Sequence, residues 1–252
     1  VQFYLLDCVD GEVHRELALP EVPREQRAAI YHAALDTLAT IHRTDLAATG
    51  LSDFGRPGNY FERQLHRWSQ QYRTALPEGL PAVDALIDAL TPLVPQGHAP
   101  TVLLHGDCRL DNLMFERGTP RVKAVLDWEL STLGHPLADL GQFLGVQELP
   151  PDYLLPGLAG VDRAALGIPS QREMARRYLG AMGLDGLDTD TDLRFFKAFA
   201  LFRQAAMSAG LLRRAREGTA VAESALAFGE TTEVFAEVGL AEMAGEYAAT
   251  LS

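Results

Sequence analysis

Apolar and polar positions change their period several times along this chain. The opening Val1-Gln-Phe-Tyr-Leu-Leu6 is an apolar run of strand type, and Asp7-Cys-Val-Asp-Gly11 reads as a turn. From Pro23 onwards the period becomes helical. Ile30, Ala34, Leu38 and Ile41 recur at three- and four-residue spacing and make one apolar face. A second helix is expected over Tyr60 to Ala75, with Phe61, Leu65 and Trp68 inward. A third is expected from Pro81 to Leu93, with proline in its first turn.

Short apolar runs then return. Val102-Leu-Leu104, Leu113-Met-Phe115 and Val122 to Leu126 read as small buried strands. The turn signal Arg117-Gly-Thr-Pro120 joins the last two as a hairpin. Helical period resumes over Pro136 to Leu144. The stretch Leu149 to Gly167 is rich in proline and glycine and reads as a long loop, either a binding loop or a surface excursion. The remainder is helical, over Gln171–Met182, Asp190–Arg214 and Ala220–Val238. Phe195, Phe199 and Phe202 share a face there, with Leu201 close by, and that stripe is core. There are no internal repeats and no low-complexity tracts.

Between the strands lies the polar string His105-Gly-Asp-Cys-Arg-Leu-Asp-Asn112, and the hairpin ends on Val125-Leu-Asp127-Trp-Glu129. The first sits on a tight loop, and the hairpin returns Asp127 towards it. An acid, an amide and a second acid can then converge on one point. Phosphoryl transfer needs a carboxylate to orient a hydroxyl and accept its proton, which Asp107 can do. It also needs Mg²⁺, a hard ion that takes carboxylate or amide oxygens and keeps several waters, and Asn112 and Asp127 fit that need. Asp107 and Asn112 have the spacing of a kinase catalytic loop, Asp followed by four residues and then Asn. His105 reads as a loop-orienting residue rather than a base.

The neighbours have plainer readings. Trp128 reads as core packing, His135 as a turn cap before Pro136, and Cys108 as a passive loop residue. Arg109 and Asp111 either bind substrate or brace the loop. Glu129 either meets the metal's water shell or faces solvent.

Composition narrows the function further. At 252 residues, 47% hydrophobic and 22% charged, the chain can bury a full core. A net charge of −12 argues against nucleic acid bound through a basic face. It would suit a cationic substrate, although an acidic surface also serves solubility alone. Two cysteines, Cys8 and Cys108, are too few for a disulfide framework and fit a cytoplasmic location. No apolar run is long enough for a membrane span, and the first residues do not read as an export leader. For a substrate bearing CoA phosphates, Arg203, Arg213, Arg214 and Arg216 are candidates, or else they decorate a helix end.

The string "HGDCRLDNLMF…AVLDWELSTLGHPLADL", from His105 to Leu140, resembles the aminoglycoside phosphotransferase and choline kinase group of small-molecule kinases, relatives of protein kinases. It is most similar to the branch associated with acyl-CoA dehydrogenases. The resemblance implies an α+β, protein-kinase-like fold, mainly the helical C-terminal lobe with a short catalytic β-hairpin. It implies ATP and Mg²⁺ as cofactors, Asp107 as base, and Asn112 and Asp127 as magnesium ligands. His105 and Asp139 would support the catalytic loop, while Arg109 and Glu129 would lie near substrate.

By the same resemblance, residues 1–11 are the end of the N-terminal lobe and the hinge, with backbone groups of Asp7 and Val9 facing adenine. Residues 12–252 are the catalytic lobe. The phosphate-covering loop and its lysine are not in this sequence, so the N-terminal lobe is expected to be largely absent. Lys123 and Lys197, the only lysines, do not fit that role.

The expected function is transfer of the ATP γ-phosphoryl group to a hydroxyl of a small molecule. The branch favours a hydroxyacyl compound or hydroxyacyl-CoA over an aminoglycoside, with an acyl-CoA dehydrogenase as partner. The alternative is a non-catalytic pseudokinase or binding module. A metal-dependent hydrolase is weaker, since further ligands do not cluster nearby.

Overall fold

The computed structural model describes residues 8–56, 58–96, 100–184, 186–218, 225–229 and 231–245. The strand expected over residues 1–6 and the hinge residue Asp7 lie outside them.

Nine helices and five short strands occur among the described residues. The strands are β1 (Glu12–Val13), β2 (Val102–Leu104), β3 (Leu113–Phe115), β4 (Val122–Val125) and β5 (Thr132–Gly134). The helices are α1 (Arg24–His42), α2 (Tyr60–Ala75), α3 (Pro81–Leu90), α4 (Leu137–Gly145), α5 (Arg163–Leu166), α6 (Gln171–Met182), α7 (Arg194–Arg216), α8 (Ala225–Gly229) and α9 (Thr232–Ala244).

Local chemistry sets several of these ends. The Asn59 side chain accepts from the N–H groups of Phe61 and Glu62 and opens α2. Ser170 accepts from Glu173 N–H, and Gly183 in the left-handed region closes α6. The helix expected to run to Leu93 tightens into a 3₁₀ turn over Thr91–Leu93, because Pro92 cannot donate into an α-helical ladder. The last expected helix is divided between Gly229 and Thr232, and its first residues, 220–224, lie outside the described ones. Part of the long loop also becomes helical, as α5, whose start is capped by Asp162.

Helix α7 is the axis of the molecule. It packs on α2, α3, α4, α8 and α9 and is buried on several sides. The expected aromatic stripe is core: Phe195, Phe196 and Phe199 pack around Phe61 of α2, with ring centres 5.0–5.3 Å from it. Gly141 lets α4 lie directly on α7, since a Cβ there would come 2.4 Å from the Phe196 carbonyl oxygen.

The strands form two separate small antiparallel sheets, ordered β1-β3-β4 and β2-β5. The loop 105–112 is therefore a bridge between sheets, leaving β2 of one and entering β3 of the other. Strand β5 carries no periodic signal and was not expected. Among the described residues no helix is long and apolar enough to cross a membrane.

Candidate active site

The loop after β2 is pinned from beneath by α4. Asp139, completely buried, accepts from His105 N–H at 2.7 Å and from Gly106 N–H at 2.9 Å. Its Oδ2 also lies 3.1 Å from His42 Nε2, and His42 Nδ1 is 2.5 Å from the Tyr178 hydroxyl. Burial works to raise the Asp139 carboxyl, yet His42's hydrogen bond and charge, with the loop's N–H groups, hold it below its ordinary value. Gly106 has φ +88°, and a Cβ there would sit 2.2 Å from the Leu130 carbonyl oxygen. Only glycine fits that turn.

His105 closes the site from the other side. Its Nε2 lies 2.7 Å from the Leu126 carbonyl, and its Nδ1 lies 3.2 Å from Asp107 N. These partners assign Nε2 as the protonated nitrogen, donating to a carbonyl, and Nδ1 as an acceptor. One imidazole thus ties the 105–112 loop to the segment that leads into Asp127.

Asp107 projects from this loop with its side chain 15% exposed. Asn112 donates through Nδ2 to the Asp107 carbonyl at 2.8 Å and to its Oδ2 at 3.3 Å. That leaves the amide oxygen of Asn112 as its potential cation ligand. Leu126 N–H donates to the Asn112 carbonyl at 2.8 Å, and Leu113 pairs with Val125, so Asp127 follows the residue that lies opposite Asn112. Asp127 is exposed and holds φ +61°, a left-handed conformation that a short polar side chain tolerates better than most.

Other sequence-singled residues fall as follows. Arg109 donates to Asp111 at 3.0 Å and lies 3.6 Å from Asp107 Oδ2, so it joins the two acids. Burial raises the Asp111 carboxyl although Arg109 opposes it. Glu129 and Val9 are exposed. Burial, with the charges of Asp139 and Asp107, pushes the Cys108 thiol well up, which makes it a poor nucleophile. His135 Nδ1 accepts from Leu137 N–H at the start of α4, a cap.

Trp128 is a correction. It is 38% exposed, with its ring 5.0 Å from that of His105 and its N–H on the Val125 carbonyl. The left-handed turn at Asp127 swings it out of the core.

Three polar residues that the sequence did not place near Asp107 also gather around it. Gln142 of α4 donates to Asp107 Oδ1 at 3.0 Å, and Gln204 of α7 reaches the same oxygen at 3.4 Å. Arg203 donates to Gln142 Oε1 at 3.1 Å. In the sequence, Gln142 is marked only as a glutamine inside the largely apolar string Leu137-Ala-Asp-Leu-Gly-Gln-Phe-Leu144, and the structure buries it fully.

Comparison with known proteins places the chain in a family. The model of the phosphotransferase enzyme family, APH, matches residues 1–176. Acyl-CoA dehydrogenase family member 10 of Mus musculus is 40% identical over 237 residues, 94% of this chain and 22% of that protein. Acyl-CoA dehydrogenase family member 11 of Gallus gallus is 37% identical over 241 residues, 95% of this chain and 31% of that protein. The chain therefore spans under a third of each relative. A crystal structure from Ralstonia eutropha, provisionally assigned as an aminoglycoside phosphotransferase, superposes with TM-score 0.87 at 41% identity. It is covered to 71% by 94% of this chain.

Proposed function

From the premise that the chain belongs to the phosphotransferase enzyme family, whose protein-kinase-like α+β fold it shares, we propose that it transfers the ATP γ-phosphoryl group to a hydroxyl of a small molecule. The observation that supports this reading is the meeting of Asp107 and Asn112 at 3.3 Å, with Asp127 next in the chain to Leu126, whose N–H bonds the Asn112 carbonyl.

Asp107 orients the acceptor hydroxyl and takes its proton as the new oxygen–phosphorus bond forms and the bond to ADP breaks. The Asn112 amide oxygen and the Asp127 carboxylate are hard oxygen donors of the kind Mg²⁺ takes, and they would hold it. Among the described residues no cluster of three or more His, Cys, Asp or Glu makes a metal cage. A pair of ligands suits a cation whose other positions are filled by phosphate and water. When bound, the ion would neutralise charge on the phosphate oxygens. His105 and Asp139 keep the loop in register so that Asp107 needs little reorganisation at the moment of transfer. Arg109 and Glu129 border the position where substrate would lie.

Residues 1–11 fit the end of an N-terminal lobe and its hinge, with Asp7 and Val9 offering backbone groups to adenine. Residues 12–252 then form the catalytic lobe. Relatives named as acyl-CoA dehydrogenase family members support a hydroxyacyl compound or hydroxyacyl-CoA as acceptor, ahead of an aminoglycoside, and an acyl-CoA dehydrogenase as partner. The arginines considered for CoA phosphates have other engagements: Arg203 lies in the core, while Arg213 and Arg216 pair with Glu217 and Glu78. Both cysteines are free thiols, which fits a cytoplasmic location.

The test is ADP formation by the full-length protein with MgATP and a panel of hydroxyacyl-CoAs, amino alcohols and aminoglycosides. The expected result is turnover with a hydroxyacyl-CoA, lowered by orders of magnitude in Asp107→Ala and in Asp127→Ala. Normal turnover in either variant refutes the assignment. No ADP with any acceptor, despite binding, would point to a non-catalytic module.

A further inference from the structure

We propose that Gln142 and Arg203 form a positioning pair that fixes which oxygen of Asp107 faces the acceptor. This rests on the reading of Asp107 as the base.

A carboxylate oxygen offers about two lone-pair positions. On Asp107, Oδ1 receives Gln142 Nε2 at 3.0 Å and Gln204 Nε2 at 3.4 Å, which occupies both. Among the described residues, Oδ2 receives a hydrogen bond only from Asn112 Nδ2 at 3.3 Å, with Arg109 Nε 3.6 Å away as an ion-pair partner. Oδ2 therefore keeps a lone pair for an incoming hydroxyl, and Oδ1 does not. Without the glutamine donors the carboxylate could turn about its terminal torsion, which has a broad and roughly two-fold profile.

A glutamine amide can itself present either end, so a donor is not guaranteed by residue type alone. Arg203 removes the ambiguity. Its guanidinium carries only donors, and it lies 3.1 Å from Gln142 Oε1. Turning the amide over would set its NH₂ against the guanidinium and its oxygen against the Asp107 carboxylate, losing both bonds. Arg203 thus acts through Gln142 and keeps the NH₂ aimed at Asp107.

The placement of Arg203 needs such a reason. It is 5% exposed, and its Nε has no hydrogen-bond partner among the described residues. Its guanidinium also reaches the Tyr60 hydroxyl, a neutral partner. An arginine buried among neutral groups is costly. Gln142 bridges it to the nearest carboxylate it reaches by hydrogen bonds, Asp107, one amide away. The close approach of α4 to α7 at Gly141 and Phe196 holds the two helices at the distance this relay needs.

The experiment measures ADP formation from MgATP by the full-length protein, with the best acceptor of the panel and with water alone. The variants are Gln142→Met, Gln142→Glu, Arg203→Met, the double variant Gln142→Met/Arg203→Met, and Asp107→Asn. Expected for Gln142→Met is a 10- to 100-fold fall in kcat, with KM for MgATP within about twofold, since a bond to a charged group is lost at the base and none at the nucleotide. Gln142→Glu keeps the shape and a partner for Arg203 but turns an oxygen on Asp107, so its kcat falls at least as far. Arg203→Met costs about as much, and the double variant adds little, because the arginine works through the glutamine.

Loss of activity in Asp107→Asn with kcat retained within twofold in Gln142→Met overturns the positioning pair and spares the base. Activity retained in Asp107→Asn overturns the base itself. Should Gln142→Met not fold, the near-isosteric Gln142→Glu decides in its place, retained kcat again overturning the pair. Additive losses in the double variant also sink it.

Discussion

His42 Nε2 lies 3.1 Å from Asp139 Oδ2, and both side chains are sealed from solvent. Through this pair α1 is joined to α4, and through Asp139's two bonds to His105 and Gly106 both are joined to the 105–112 loop. Asp139→Asn would set an amide NH₂ against one of these donors and leave a buried group unpaired. The expected cost is about 3 kcal/mol in urea or thermal unfolding. The pH dependence has a definite sign. The folded-state carboxyl is held below its ordinary 3.8, so its contribution is present above that value and lost as pH falls through the depressed one. The gap between parent and Asp139→Asn should narrow below pH 3.8, and a gap constant from pH 6 down to 2.5 would contradict this account.

His135 carries the opposite hazard. Stacked on Phe196 and packed on Phe61, it has its pKa lowered by burial from 6.5 to about 4. Between those values the unfolded chain binds the proton and the folded one does not, so stability falls as pH drops from 6.5 to 4. The loss from this group is on the order of 3 kcal/mol. Stability of His135→Asn measured across that window should be flatter than the parent's by that amount. Parallel curves would sink the prediction.

Gly106→Ala tests the turn that begins the loop proposed as catalytic. A methyl group 2.2 Å from the Leu130 carbonyl, at φ +88°, forces the loop or the segment after Asp127 to move. The expected outcome is destabilisation of roughly 3 kcal/mol and turnover reduced at least 100-fold in the protein that remains folded. Unfolding and ADP assays on one sample measure both.

Asp127→Asn separates chemistry from stability. Its side chain is exposed, and asparagine tolerates the left-handed backbone as aspartate does, so the unfolding free energy should change by no more than about 0.5 kcal/mol. Turnover should nonetheless fall by orders of magnitude, partly restored by raising Mg²⁺. A variant that is both stable and fully active would falsify the metal-ligand role.

Lys197 answers a different question. It bonds Glu242 at 2.7 Å and Gln171 at 3.1 Å, and lies 3.7 Å from Glu148, tying α7 to α6, α9 and the turn after α4. Lys197→Met strands two buried carboxylates, at an expected cost of about 4 kcal/mol. Turnover per folded molecule should be unchanged, since none of these groups touches Asp107. A specific loss of kcat without loss of stability would show that the lysine serves the reaction.

The helices most readable in the sequence were those with a strong period and chemical end signals. Helix α6 has its serine cap, its glutamate three residues on and its closing glycine, and its bounds are those the pattern indicated. Helix α7 begins later than its period suggested. The Asp188 side chain accepts from Asp190 and Thr191 N–H groups and holds a local turn that competes with the helix. Strand β5 was illegible because Thr132-Leu-Gly134 holds a single apolar residue between threonine and glycine, whereas β2 and β3 are marked by apolar runs. Its pairing with β2 is a contact across the fold.

What the sequence by itself determined is the set of candidate groups: an acid, an amide and a second acid on a loop and on the hairpin that follows it. Only the tertiary structure decided how that acid is held. Gln142, Gln204 and Arg203 stand 35 to 97 positions from Asp107 in the chain, and no period or motif links them to it. They meet because α4 is packed on α7 through a glycine. Trp128 came out to the surface because one backbone angle at Asp127 is left-handed. Local patterning encodes which groups are available, whereas their orientation depends on helix packing between residues distant in sequence.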